Sequence, residues 1–407
     1  MVLLLLVTAT VSTPVAFFFL VIGIIKAPNQ YRRWLWIYIL AFAILAYSYT
    51  PTYTNDLMRY FNMIENCKKL PISCAFNWAE DGLVVKNFWF WCLSKIDEPH
   101  LLQAISIGAL YGVTAYITCE SFRENEKNMW IVIMLQILLL PLHLANNNIR
   151  NMFTFAFMFL AAYRDIVQKK RNLLTGILYI APVFVHMTGL VVLVARLVVL
   201  ILRKKYKVIL IATFAIPFVV LGTYPILQKV TIPGNIGKIV QRAIWKSYTS
   251  VLSNSSYAKS MRESGYVNSC RAVMFIACVI LIVLTIIYLY NDEEKSRGEY
   301  EFMIFNMIFC SITCLFILLG AVKFWVFGVA AIIGSGPVLF CYFEERAGGI
   351  RQIMIYVLFI MALCRAGLEF YYISQRIVWR EYFSTLMTTN IWTIIFHIFE
   401  TFRTGTA

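Results

Sequence analysis

Asp56 and Arg59 stand three positions apart with Tyr60 beside them, so a helical backbone there would put the two charges on one face. Such a pair can be a surface ion bridge, or it can offer a carboxylate and a cation to a polar substrate. A second group, Asn146-Asn147-Asn148-Ile149-Arg150, is wedged between two apolar runs. A polar turn and helix cap accounts for the asparagines but not for Arg150. An arginine at the head of a helix adds a fixed charge and a planar donor fork to the positive end of the helix dipole, which suits a phosphate. His186, one of four histidines, follows in an apolar stretch broken by Pro182 and Gly189. It reads either as a satisfied structural imidazole or as a group that takes a proton from a hydroxyl near neutral pH.

Ionisable groups in or beside a bilayer are costly, so later ones also call for a reading. Lys323 lies in a short turn between apolar runs with no acid near it in sequence, as a phosphate ligand would. Arg365 and Glu369 share i,i+4 spacing and read as a self-neutralising pair, and Arg376 and Arg380 fall in one connection. Arg196 reads as snorkelling to the cytoplasmic surface, without a role. Walker A, HExxH, nucleophile-elbow and Rossmann patterns are all absent, so the energy for any reaction must come from an activated substrate such as a lipid pyrophosphate.

The elements that must position these residues are set by composition. Sixty per cent of the 407 residues are hydrophobic and 14% are charged, which calls for a bilayer as solvent. Apolar runs long enough for a ~30 Å core recur along the whole chain, near 2–25, 34–50, 100–120, 129–146, 151–168, 208–224, 271–290, 302–320, 325–343, 352–373 and 383–399. The first is read as a span rather than a signal peptide, since it lacks a basic start and a small-residue cleavage site. The net charge of +15 comes from clusters between the runs, so it reports topology rather than nucleic acid. Short basic connections at 26–33, 168–171, 203–207 and 345–351 belong in the cytoplasm.

Residues 172–202 are flanked by basic clusters on both sides, so they read as a hairpin reversing at 182–189, with His186 at or near its outward tip. The Trp-rich stretch 82–96 reads as an amphipathic helix lying on the outer interface. The expectation is one all-α membrane domain over 1–407, with about 12–13 crossings, an outward N-terminus and a cytoplasmic C-terminus. Two larger loops, 51–98 and 225–270, face outward. The second holds Lys229, Lys238, Arg242, Lys246, Lys259 and Arg262 against Glu263 alone, a balance that an outside polyanion would explain. Cys67 and Cys74 share the first loop and would form a disulfide if that compartment is oxidising, whereas most of the ten cysteines lie inside apolar runs.

Asp-x-x-x-Tyr at 56–60, Asn-x-Ile-Arg at 147–150 and Phe-x-His at 184–186, in that order and on one expected side, resemble the EpsG branch of the Wzy-like glycan polymerases across residues 50–200. Two departures from that pattern are Asn151, where a glutamine often follows the arginine, and Lys323, where an arginine is expected. The resemblance implies a GT-C-like glycosyltransferase of the bacterial inner membrane, working on the periplasmic face without metal or other cofactor. Its donor would be a growing glycan on undecaprenyl pyrophosphate and its acceptor an incoming lipid-linked repeat unit of O-antigen or another surface polysaccharide. It implies catalytic roles for Arg150, His186 and Asp56, and substrate contacts from Arg59, Tyr60, Asn147, Asn148, Arg242 and Lys323. No carboxylate pair at double-displacement spacing stands out, so inversion is expected. A separate chain-length regulator is an implied partner. Two other classes fit some of the same residues: a flippase for lipid-linked sugars, which would show an internal repeat, and an acyltransferase built on His186.

Overall fold

The structure is a computed structural model that describes residues 30–50, 56–76, 82–123, 126–140, 142–202, 263–291, 297–319, 325–344, 349–374 and 379–404, with isolated positions elsewhere. The expected spans at 2–25 and 208–224, most of the basic loop 225–270, Arg242, Lys323 and Arg376 lie outside these residues, as does the side chain of Arg380.

Every regular element among the described residues is helical. The central layer is formed by Tyr31–Tyr47 (α1), Leu101–Ser121 (α4) and Ile149–Ile166 (α7), with α4 packed between the other two. Gly108 and Gly112 sit one turn apart on α4 and let α1 come close. A Cβ on Gly112 would collide with the Ile39 side chain. Around this layer run Met129–Leu139 (α5), Gly265–Asn291 (α10), Arg297–Leu318 (α11), Val326–Ile333 (α12), Gly336–Glu344 (α13) and Ile350–Ser374 (α14). Their shared core is aliphatic and aromatic, with Phe155, Phe159, Phe302, Phe305 and Phe309 at its centre.

Helices α4, α10, α11 and α14 are each long and apolar enough to cross a bilayer, and α12 with α13, bent by 53°, would make a fifth crossing. Among the described residues these account for four or five of the expected 12–13 crossings; the expected spans 2–25 and 208–224 lie outside them, and the remaining apolar runs form shorter helices for reasons visible in the helices themselves. The apolar run at 129–146 is not one helix: Leu140 is extended, and a separate short helix, Leu142–Asn147 (α6), follows. Helix α7 carries charge at both ends. The expected hairpin is present, but its arms, Leu173–Phe184 and Thr188–Ile201, are short. At 1.5 Å per residue they reach about 18–21 Å, less than a ~30 Å core. The first arm starts as Leu173–Ile180 (α8), where Asn172 caps the Thr175 amide, and tightens to a 3-10 turn at Pro182 before Thr188–Ile201 (α9) returns.

The first loop folds onto the end of the bundle that holds Arg150. Asp56–Cys67 (α2) and Val84–Ile96 (α3) pack together through Leu57, Tyr60, Ile64, Phe90 and Leu93. Trp89 of α3 lies 4.6 Å from Phe153 of α7. Asp97 closes α3 in the left-handed region and is held by Lys68 at 2.7 Å. No disulfide joins the expected pair Cys67 and Cys74: Cys67 packs under the loop and Cys74 is exposed on the turn Ile72–Phe76.

The C-terminal segment overturns another expectation. Instead of a crossing at 383–399 there are two short helices, Trp379–Thr388 (α15) and Ile391–Thr404 (α16). Tyr382 packs on the first-loop cluster, and His397 meets Glu98 at 2.9 Å. Residue 397 therefore lies at the first-loop end of the bundle and not at the opposite, basic end.

Candidate active site

Helix α7 separates two polar ends. Its 18 residues span about 27 Å. At its far end Asp165 accepts from Arg171 and from Arg196, each through Nε at 2.7 Å, with Arg196 only 10% exposed. Arg196, expected to snorkel without a role, is thus the buried bolt that ties α9 to α7. Gln168 reaches Tyr116 on α4, and Glu120 accepts from Tyr31 at 2.6 Å.

The other end of α7 gathers most of the described residues singled out in the sequence. Arg150, in the first turn of α7, places its guanidinium carbon 4.8 Å from the centre of the Tyr60 ring, and that of Arg59 is 5.4 Å from the same ring. Arg59 pairs with Asp56 at 3.5 Å on the exposed side of α2. The buried Nε of Arg150 has no acceptor. Both side-chain polar atoms of the fully buried Asn146, and Oδ1 of Asn147, also lack a hydrogen-bond partner. Buried polar atoms left unmet carry a cost, and a polar ligand in reach removes it. Asn148 does not cap α7; its Nδ2 donates back to the Leu144 carbonyl and so ends α6.

His186 is joined to the same end through two hydrogen bonds. Thr188 donates to Oδ1 of Asn151 at 3.0 Å, and the Thr188 hydroxyl is 3.0 Å from Nδ1 of His186. The Thr188 amide also donates to Nδ1 at 3.3 Å, so the ring is fixed through Nδ1 against the first turn of α9. Asn151, Thr188 and His186 therefore form one connected corner between α7 and the hairpin tip, with Arg150 the chain neighbour of Asn151.

A neighbouring cluster was not singled out in the sequence, apart from its Arg365–Glu369 pair. His143, buried on α6, is 2.8 Å through Nδ1 from the Tyr49 hydroxyl and 3.1 Å through Nε2 from Asn147 Nδ2. Glu369 accepts from the His143 amide, from Tyr266 at 2.6 Å and from Arg365 at 2.6 Å. The available signal was the i,i+4 spacing of His143 and Asn147, which places them on one face of a helix. Asn147 thus links this cluster to the Arg150 corner. Among the described residues no group of three or more His, Cys, Asp or Glu side chains is arranged to hold a metal ion.

The chemistry this end can perform is recognition of an anion by buried cationic donors next to a group able to exchange a proton. No curated protein and no solved structure matches the chain significantly. A family model, described as the EpsG family, matches residues 99–377. It extends well past the 50–200 region that carried the resemblance, takes in Arg150, His186, His143 and Arg365, and leaves Asp56, Arg59 and Tyr60 outside. With more than half its length matched, this multi-pass membrane chain belongs to the EpsG family, whose role is that of a polysaccharide polymerase.

Proposed function

We propose that the corner built by Arg150, Asn147, Asn151 and His186 transfers a growing glycan from undecaprenyl pyrophosphate to an incoming lipid-linked repeat unit on the periplasmic face of a bacterial inner membrane. The observation that carries this reading is the buried, acceptor-less Nε of Arg150 at the head of α7, beside the unmet side-chain atoms of Asn146 and Asn147. A helix start, a fixed cation and unspent donors together favour a pyrophosphate.

In the proposed step a hydroxyl oxygen of the acceptor sugar attacks the anomeric carbon of the donor, and the bond from that carbon to the pyrophosphate oxygen breaks. The hydroxyl proton passes to the His186 imidazole, which Thr188, itself held by Asn151, orients through Nδ1. Negative charge growing on the pyrophosphate meets Arg150, whose approach is backed by the Tyr60 ring. Asp56 pairs with Arg59, whose guanidinium lies over the same ring. One displacement at the anomeric carbon inverts it. Arg242 and Lys323 are proposed to contribute further charge toward the substrate. A chain-length regulator is proposed to act as a separate partner.

The test is surface polysaccharide from a producing strain carrying Arg150→Ala or His186→Ala, resolved on a gel. Single-repeat material without long chains is the expected result. Complete loss of surface glycan would point to translocation instead, and normal chain lengths with altered side groups to acyl transfer.

A further inference from the structure

A cavity of about 330 Å3 opens beside the Arg150 corner, lined by residues of α1, α4, α5, α6, α14 and α15. Its walls are mainly apolar and aromatic, among them Phe42, Leu138, Ala366 and Phe370. Phe370 is 67% exposed on the same outer flank of α14 as Ile360 and Leu363, so the cavity wall is continuous with the apolar surface of the bundle.

Its polar end is asymmetric. Glu369 is saturated by the His143 amide, the Tyr266 hydroxyl and Nη2 of Arg365. Arg365 is not: its side chain is 1% exposed, and both Nε and Nη1 lack an acceptor. A buried guanidinium with spare N–H groups at the end of an apolar cavity fits a ligand with an anionic head and a hydrocarbon body. The polymerase reaction needs two such molecules at once, donor and acceptor, and the Arg150 corner supplies one seat. His143 and Asn147 connect that corner to this cavity.

We infer that the Arg365 cavity is a second lipid-phosphate seat, which holds the phosphate of a polyisoprenoid carrier on Arg365 and its first isoprene units against Phe42, Leu138 and Phe370. This rests on the polymerase reading above.

The experiment counts farnesyl phosphate molecules bound to the detergent-solubilised full chain by native mass spectrometry. Wild type is expected to hold two. Ala366→Phe, which fills the cavity while leaving Arg365 and Glu369 in place, is expected to hold one, as is Leu138→Trp from the opposite wall. Arg365→Lys keeps the charge facing Glu369 but gives up the spare guanidinium donors, and is expected to weaken the cavity-bound molecule by about tenfold or more. Arg150→Ala is expected to hold one, retained in the cavity. Unfolding temperatures near wild type exclude misfolding as the cause of a loss. If both cavity-filling variants still hold two, or if farnesol or inorganic phosphate competes as well as farnesyl phosphate, the cavity is not such a seat. Loss of a molecule in Arg150→Ala but in neither cavity variant sinks this inference and spares the Arg150 reading. Loss in the cavity variants but not in Arg150→Ala does the reverse.

Discussion

Tyr60 is where the first loop bears on Arg150, and replacing it isolates that contact. The ring is 5% exposed, with the Arg150 guanidinium 4.8 Å from its centre and the more exposed Arg59 at 5.4 Å. Tyr60→Leu keeps an apolar side chain among Leu57, Ile64 and Phe90 but removes the aromatic face. A cation–π contact is worth about 0.5 kcal/mol when exposed and about 2 kcal/mol when desolvated, and Arg150, with its Nε buried, belongs toward the upper figure. If Arg150 meets charge that develops only as the pyrophosphate leaves, the loss falls on the transition state, and the rate drops roughly 2- to 30-fold. Tyr60→Phe keeps the face and gives up only the hydroxyl, so its rate stays within about twofold of wild type. The assay is the initial rate of two-unit product formation from purified lipid-linked repeat units, with unfolding temperatures checked in parallel. Equal rates for Tyr60→Leu and wild type, or equal losses in the Leu and Phe variants, would refute the assignment of Tyr60 as the support of Arg150.

Other perturbations read different parts of the structure. Thr188→Val preserves shape but cuts the link from Asn151 to His186; at about 1 kcal/mol for each of the two hydroxyl hydrogen bonds lost, kcat falls by up to roughly 30-fold while KM changes little. Asp165→Asn leaves Arg196 buried without its counter-charge, a loss of about 3–5 kcal/mol that appears as a large drop in unfolding temperature in detergent, whereas the double change to Asp165→Leu and Arg196→Leu recovers most of it. Burial pushes the Glu98 carboxyl above its usual range despite the neighbouring Tyr47 and His397. Because the folded value is raised, Glu98 contributes stability below the ordinary carboxylate pKa of about 4.3, and that contribution is lost as pH rises through the folded value. Glu98→Gln therefore flattens this part of the pH profile of the unfolding temperature, and an unchanged slope would show that the profile has another source. Gly112→Val forces α1 away from α4 and destabilises the central layer by about 1–3 kcal/mol, measured in the same unfolding assay.

The apolar runs, the amphipathic stretch at 84–96 and the reversal at Pro182 were legible in the sequence because they are local: run length, helical periodicity and a missing backbone N–H act within a few residues. The Asn-rich corner with Arg150 was legible for the same reason, since a fixed charge beside apolar runs is costly wherever the chain goes. Helix breaks inside uniformly apolar stretches were not. Residues 129–146 and 326–344 have the hydropathy of single spans, yet one is interrupted at Leu140 and the other bends by 53°. Nor could local pattern show that α16 turns back to Glu98, because an amphipathic helix advertises an apolar face but not the surface that will cover it.

The sequence by itself determined an all-helical membrane chain and the kinds of residue at its polar end. Only the tertiary structure decided which of them meet: Tyr60 with Arg150, His186 with Asn151 through Thr188, and His143 with Glu369 from 226 positions away. The reason is physical. Hydrophobic length and periodicity follow from neighbours in the chain, whereas a buried charge or imidazole finds its partners only when packing brings distant helices together, and any apolar run can hide either a core histidine or one that faces a ligand.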